Sequence, residues 1–490
     1  MSEHFDVLIV GAGISGIAAA YHLKDQRPGT RFLILEHQES FGGTWKTHRY
    51  PGIRSDSDLY TFGYRFKPWT GPPFASGEQI LSYLGEVIDE NDLDRHIRYS
   101  HQVVSASWSS AENRWTIVAR HTETGEEHKF TAGFLWMCQG YYRHAEGYTP
   151  RWEGMADFGG RIVHPQTWPD DLDTSDKKIV VIGSGATAAT LVPALAGNCA
   201  HVTMLQRSPT YYLVRPNENE LAVSLREQGV DEAEVHAQVR RRNLSEQYMF
   251  QRLCFSEPDA VKAELLEVVR ASVGDHVDVE KHFSPSYRPW RQRIAIVPNG
   301  DLFVALREGQ ASIETDEIER FTANGIALRS GAHLDADIIV TATGFHLCAL
   351  GDIAFSVDGA PVAASDTLTY RGMMFTGLPN LVWVFGYFRA SWTLRAEMVA
   401  DFVCRLLAHM EKTGAKSVVP ALRAAEADME LQSWMDEEDF NPGYLKRGAH
   451  VLPKRGTTRE WQHSQDYWHE RLEFPEIDLT DEVFVYDGAR

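Results

Sequence analysis

The sequence of 490 residues is short of cysteine: Cys138, Cys199, Cys254, Cys348 and Cys404 lie far apart with no CxxC pair. That spacing supports neither a disulfide framework nor a zinc site, so no metal is expected. Basic charge is scarce as well. With 48 Lys and Arg against 68 Asp and Glu, the formal net charge is −20, and an acidic surface repels phosphate backbones and anionic lipid. Nucleic acid is therefore a poor partner and small molecules remain. No stretch approaches 18 uninterrupted apolar residues, so no membrane span is expected. The opening MSEHFDVLIVGAG has no basic segment, and its apolar run is too short for an export signal. A reducing cytoplasm is the expected location. Low-complexity tracts are absent too. The composition, 43% hydrophobic and 24% charged, is that of a globular protein. At roughly 150 residues per domain, the length allows about three domains or one large fold with an insertion.

What is present begins with FDVLIV (5–10), an apolar run that ends at Gly11 and leads into AGISGIAAAYHL, which has helical spacing. A second run, RFLILE, ends at Glu36 and completes a βαβ unit. The pattern recurs at KKIVVIGSGATAATLVPAL (177–195), followed by HVTMLQR ending at Arg207. The fold expected is α/β, with two dinucleotide-binding (Rossmann-like) domains. Between 213 and 290 the chain turns charged and strand-poor, as a helical insertion would. Strand-like sequence returns at DADIIVTATGF (335–345) and NLVWVFGYF (380–388), and LRAEMVADFVCRLLAHM reads as a helix. These boundaries give one domain from 1–145 with 386–490, a second from 146–212 with 291–385, and the insertion 213–290.

Gly11, Gly13 and Gly16 fit GxGxxG: the first glycine permits the tight turn, the second lets a pyrophosphate approach backbone, and the third allows close helix packing. Ser15 lies in the first turn of the helix, whose N-terminus favours a phosphate. Glycines at this spacing arise by chance in roughly one such chain in five, so the flanking strand and helix decide. Glu36, placed to accept from ribose hydroxyls, completes the site. The second turn has Gly183, Ser184, Gly185, Thr187 and Ala188, and its second strand ends in Arg207 and Ser208. A guanidinium suits the 2′-phosphate of NADP, which a carboxylate would repel. One carboxylate-type and one arginine-type site in the same chain point to FAD in the first domain and NADP in the second. FGGTW supports the flavin, since Gly43, Thr44 and Trp45 follow Glu36 closely and a glycine pair lets backbone run along the cofactor. Val104, in the strand-like QVVSASW, is expected against the adenine.

The segment FGGRIVHPQTWP carries Phe158, Gly160, His164, Trp168 and Pro169 and matches FxGxxxHxxxWP. About 10⁻⁴ chance matches are expected in a chain of this length. The fingerprint resembles that of the class I Baeyer-Villiger monooxygenases, FAD- and NADPH-dependent enzymes that insert oxygen beside a carbonyl. The chain looks most like their ethionamide-activating group, best over 1–213 and 280–410. The resemblance implies conversion of ketones to esters or lactones through a C4a-peroxyflavin, with sulfides as further substrates. In RYPGIRSD it places Asp56 near the flavin and Arg54, by backbone or side chain, at the nicotinamide. In RQRIAIVPNGD it places the transition-state arginine on Arg293. Relatives often carry Lys just before it, where this chain has Gln292. An arginine cannot surrender its proton to the peroxide, and its charge steadies the anion and the adduct. Asp56 would orient it. His164 is expected to organise the linker between domains, not to act as an acid or base. Arg395 is read as a solvated helix start, with a place near the flavin tail as the alternative. Competing readings are a nitrogen- or sulfur-oxygenating flavin monooxygenase, a disulfide reductase, which would need a cysteine pair, and a nicotinamide-sensing protein without turnover.

Overall fold

The computed structural model describes residues 3–487. Strand β1 (Glu3–Val10) lies parallel between β2 (Phe32–Leu35) and the strand Glu127–Met137, with Val7 opposite both Phe32 and Phe134. Both faces of this strand are covered, which is why FDVLIV reads as a nearly continuous apolar run. Val7 and Ile9 join a core shared with helix α1 (Ile14–Gln26) and the long helix Trp392–Thr413. Leu8 and Val10 face the opposite core, with Trp115, Trp383 and Trp434. The antiparallel strands His101–Ser109, Arg114–His121 and Glu127–Met137 extend the sheet to one side.

The second unit is a five-stranded parallel sheet in the order Ala311–Thr315, His201–Gln206, Lys178–Ile182, Ile338–Thr341, Arg161–Val163. Helix Ala186–Leu195 follows its central strand. Two doubly covered α/β units therefore make up the architecture, as the two glycine turns imply.

The expected boundary at 385/386 is not where the chain changes sheets. Ala354–Val357 pairs with the strand His101–Ser109, and Leu381–Trp383 pairs with Glu127–Met137, so the chain has returned to the first sheet by residue 354. An apolar run such as NLVWVF states that a strand is buried, but not which sheet buries it. Within 213–290 the helices are Glu220–Glu227, Glu232–Ser256, Pro258–Val273 and Val279–Phe283. The segment is rooted by Tyr212–Arg215, which pairs in parallel with Ala295–Pro298. It leans on the first unit, where Arg240 donates to the carbonyls of Tyr60, Thr61 and Gly63.

Arg395 is not solvated and does not serve a flavin tail. Its side chain is fully buried, with Nε 3.0 Å from Oε2 of the equally buried Glu470 and Nη1 donating to Phe385 O at 2.8 Å. The pair ties the last eighty residues to the first core. Because removing one partner strands the other charge, Arg395→Met should lose about 3–5 kcal/mol. Arg395→Met/Glu470→Leu should recover much of that, and urea midpoints of both variants check the prediction.

Candidate active site

Backbone makes the first cradle. Gly11 has φ +100°, and a Cβ there would lie 2.8 Å from the Cys138 carbonyl oxygen. A Cβ on Gly16 would come within 1.9 Å of Gly11 O, so only glycine lets α1 sit this close to the turn. Gly13 and Gly43 face each other, a Gly43 Cβ lying 3.1 Å from Gly13 Cα, which leaves two bare backbones side by side. Helix α1 has Gly13 as N-cap, no side-chain cap and no acid in its first turn. Its amides are thus left for an external anion. Ser15 Oγ accepts from Trp392 Nε1 at 2.8 Å and keeps its own hydrogen to donate.

Glu36 is 2% exposed and accepts from Ala12 N at 2.7 Å and Gln38 N at 2.9 Å. Burial works against its charge, but His37 and those two amides outweigh it and hold the carboxyl below its ordinary range. A fixed, ionised acceptor at the strand end fits a ribose. His101, at the start of the Val104 strand, donates its amide to Glu36 O at 2.7 Å, and Val104 is half-buried. Thr44 is exposed, and half-buried Trp45 packs edge-on against Phe62. Bare glycine backbone, an uncapped helix and an anchored carboxylate together fit a flavin dinucleotide.

The second turn repeats the device. Gly183 has φ +136°, and its Cβ would meet Ala342 O at 2.3 Å, whereas Gly185 opens onto free space. Helix Ala186–Leu195 again lacks a side-chain cap and a first-turn acid, with Ala188 fully buried beneath it. Ser184 Oγ lies 2.8 Å from Thr210 Oγ1, and Thr187 is half-buried beside the Tyr50 hydroxyl. Arg207 and Ser208 are exposed at the end of the neighbouring strand.

The loop 50–57 joins the two units. A Cβ on Gly52 would lie 2.6 Å from Ala194 Cβ, so this loop rides directly on the second unit's helix. The guanidinium of Arg54 is taken by Asp301 through both Nη atoms, so of the two routes expected for this residue, backbone or side chain, the side chain is already engaged. Asp56 grips Arg293 bidentately, Nε to Oδ2 at 2.6 Å and Nη2 to Oδ1 at 2.7 Å, and Nη1 donates to Phe388 O at 3.2 Å. Burial disfavours the Arg293 charge, yet Asp56 more than compensates and raises its proton affinity. Of five N–H groups, one on each Nη remains unclaimed.

Arg293 and Asp56 open onto a cavity of about 330 Å³, lined by Phe74, Leu213, Phe250, Ile294, Ile296 and Phe388. Polar wall residues that escaped the sequence reading include Asp58, Asn243 and Ser391, with Arg215, Glu218 and Arg389 among the charged ones. Asn243 comes from the helical insertion, is 8% exposed, and its side chain lies beside the Asp58 carboxyl, whose charged form it favours. Nothing in the spacing of a charged helix signals such a wall position. The fingerprint residues lie elsewhere. His164 Nδ1 accepts from Gln166 N and Nε2 donates to Gly344 O, both at 3.1 Å, which fixes one neutral tautomer; burial lowers its pKa. Gly147 packs so closely on this ring that a Cβ would fall 1.9 Å from Cε1. His164 is therefore a brace between the second sheet and the strand Tyr142–Gly147. Among the described residues no His, Cys, Asp and Glu cluster could hold a metal, and no helix is long and apolar enough to cross a membrane.

Asp58 caps the helix Leu59–Phe62 through Tyr60 N at 2.8 Å, and burial pushes its carboxyl up to about 7. The unfolded chain releases this proton near pH ~4, and the folded chain holds it to about 7. Stability should therefore be fully supported below that window, fall as pH rises through it, and level off above. Asp58→Asn keeps a capping side chain and should flatten that slope in urea midpoints measured from pH 4 to 8.

A protein-family model described as an NAD(P)-binding Rossmann-like domain matches residues 9–72, and one described as L-lysine 6-monooxygenase/L-ornithine 5-monooxygenase matches 88–347. The FAD-containing monooxygenase EthA of Mycobacterium tuberculosis is 48% identical over 470 residues, covering 95% of this chain and 94% of its own. The probable FAD-binding monooxygenase AlmA of an Acinetobacter species is 44% identical over 488 residues, covering 99% and 97%. In fold, the chain matches an oxidised steroid monooxygenase bound to NADP (TM-score 0.78, 23% identity, 99% of this chain and 100% of that one). It also matches cyclohexanone monooxygenase from Rhodococcus bound to NADP+ (0.73, 21%, 100% of both). On identities of this size over nearly the whole length, the chain belongs to the family of FAD-containing monooxygenases.

Proposed function

We propose that the protein is an NADPH- and O₂-dependent FAD monooxygenase that inserts oxygen next to a carbonyl, turning ketones into esters or lactones, with sulfides as further substrates. The first cradle, residues 1–145 with the returning C-terminal part, would hold FAD through Gly11, Gly13, Ser15, Gly16, Glu36, Gly43, Thr44, Trp45 and Val104. The second, from 146–212 and the strands beyond 291, would hold NADP through Gly183, Ser184, Gly185, Thr187, Ala188, Arg207 and Ser208. Bound FAD, once reduced by NADPH, supplies the electrons that activate dioxygen.

The observation that carries this reading is the bidentate Asp56–Arg293 pair at a cavity whose walls combine apolar side chains with polar and charged ones. Arg293 presents two free N–H groups and a permanent charge to an oxygen that gains negative charge. Because Asp56 fixes the guanidinium beforehand, no reorganisation is spent when that charge appears. The apolar part of the wall, with Phe74, Leu213, Phe250, Ile294, Ile296 and Phe388, would hold the carbon body of a ketone. The match to a lysine and ornithine monooxygenase model supports a second reading, oxygenation at nitrogen or sulfur without carbon–carbon insertion.

Arg293→Ala should leave reduction of the flavin by NADPH intact while ester formation falls by ~10²–10³, as for removal of one preorganised donor. Stopped-flow absorbance and product mass spectrometry read the two steps separately. Undiminished ester formation in the variant would overturn the role of Arg293. A wild-type enzyme that oxygenates amines or sulfides but no ketone would favour the second reading.

A further inference from the structure

In a chain with a net charge of −20, guanidiniums without a carboxylate are conspicuous. Arg207 is one, exposed at the end of His201–Gln206 and in no ion pair among the described residues. Arg447, on the short helix Gly443–Gly448 of the C-terminal segment, is another. Its guanidinium carbon lies over the Tyr148 ring, 3.6 Å from the centroid, a contact that holds the group without neutralising it.

The place it points to is specific. Arg447 Nη2 is 3.4 Å from where a Gly344 Cβ would stand, and Tyr148 is tied to the same tract by Tyr148 N to Gly344 O at 2.9 Å and Thr343 Oγ1 to Tyr148 O at 2.6 Å. Ala342, two residues earlier, abuts Gly183 of the second glycine turn. Arg447 thus reaches over the carboxyl edge of the parallel sheet, where the uncapped helix Ala186–Leu195 begins. Burial lowers the Arg447 pKa, and the positive Arg207 lowers it further, so the two cations lie within each other's field. Two like charges near one another in an acidic protein are stable when an anion comes between them. A 2′-phosphate carries more than one negative charge, so Arg207 alone would leave part of it unmatched.

We propose that Arg447 is a specificity-determining residue for the nicotinamide cofactor, a second cation that, with Arg207, holds the 2′-phosphate of NADP(H). The inference rests on the NADPH reading above. Because Arg447 comes from the C-terminal segment, selectivity for the phosphorylated cofactor is built partly by chain that follows both glycine turns.

The test uses the oxidised, FAD-loaded protein titrated calorimetrically with NADP+, NAD+, 2′-AMP and 5′-AMP, without turnover. For Arg447→Gln the dissociation constant of NADP+ should rise about tenfold, about 1.4 kcal/mol, and 2′-AMP should weaken in step. NAD+ and 5′-AMP should stay within about twofold, and Arg447→Lys should restore part of the NADP+ affinity. Unchanged NADP+ affinity in the variant, or an equal loss for both dinucleotides, would overturn the assignment. A wild-type protein that binds NAD+ as tightly as NADP+ would instead defeat the NADPH reading, before any variant is made.

Discussion

One ion pair organises this molecule. Asp56 and Arg293 are 237 positions apart and meet in two short hydrogen bonds where the loop of the first unit crosses onto the second. The pair both closes the seam between the units and aims a charge into the cavity. A carboxylate alone at that place would repel an anion, and without Asp56 the guanidinium would not be held in one orientation. Arg54–Asp301, two residues upstream on the same loop, repeats the crossing and commits a second guanidinium to structure. The loop is thus held from both units, so the Arg293 side chain is positioned before any ligand arrives.

Glycines let elements touch: Gly52 rests on Ala194 across the seam, and within the units Gly16 rests on the Gly11 carbonyl and Gly183 on the Ala342 carbonyl, each at a distance that leaves no room for a side chain. Where other proteins bury side chains between elements, these places present amides and carbonyls to whatever enters. The two helices that begin there carry neither cap nor acid, so their positive ends stay available. Conformational freedom and electrostatics serve the same end at both turns.

The remaining walls come from parts of the chain with no recognisable motif. The helical insertion contributes Asn243 and Phe250, and the turn before the long C-terminal helix contributes Phe388 and Ser391. The C-terminal segment is anchored by the buried Arg395–Glu470 pair and, through Asp439, by Arg288 and Arg389. Variation in these walls changes what the cavity accepts without touching the Asp56–Arg293 pair, which is how one fold serves different substrates.

The sequence by itself determined the local devices: both strand–glycine–helix turns, the terminal residues Glu36 and Arg207, and the braced histidine of the FxGxxxHxxxWP segment. Each is legible because its physics is local, a turn angle or a strand end within about thirty residues. Tertiary structure alone decided what lies between distant segments. It sent Ala354–Val357 and Leu381–Trp383 to the first sheet, because an apolar strand pairs wherever a matching edge is free. It buried Arg395 against Glu470, since whether a helix charge meets water or a carboxylate depends on chain that comes 75 residues later. It gave Asp58 a raised pKa and put Asn243 on the cavity wall, because burial belongs to the packed molecule and not to any residue's neighbours in sequence.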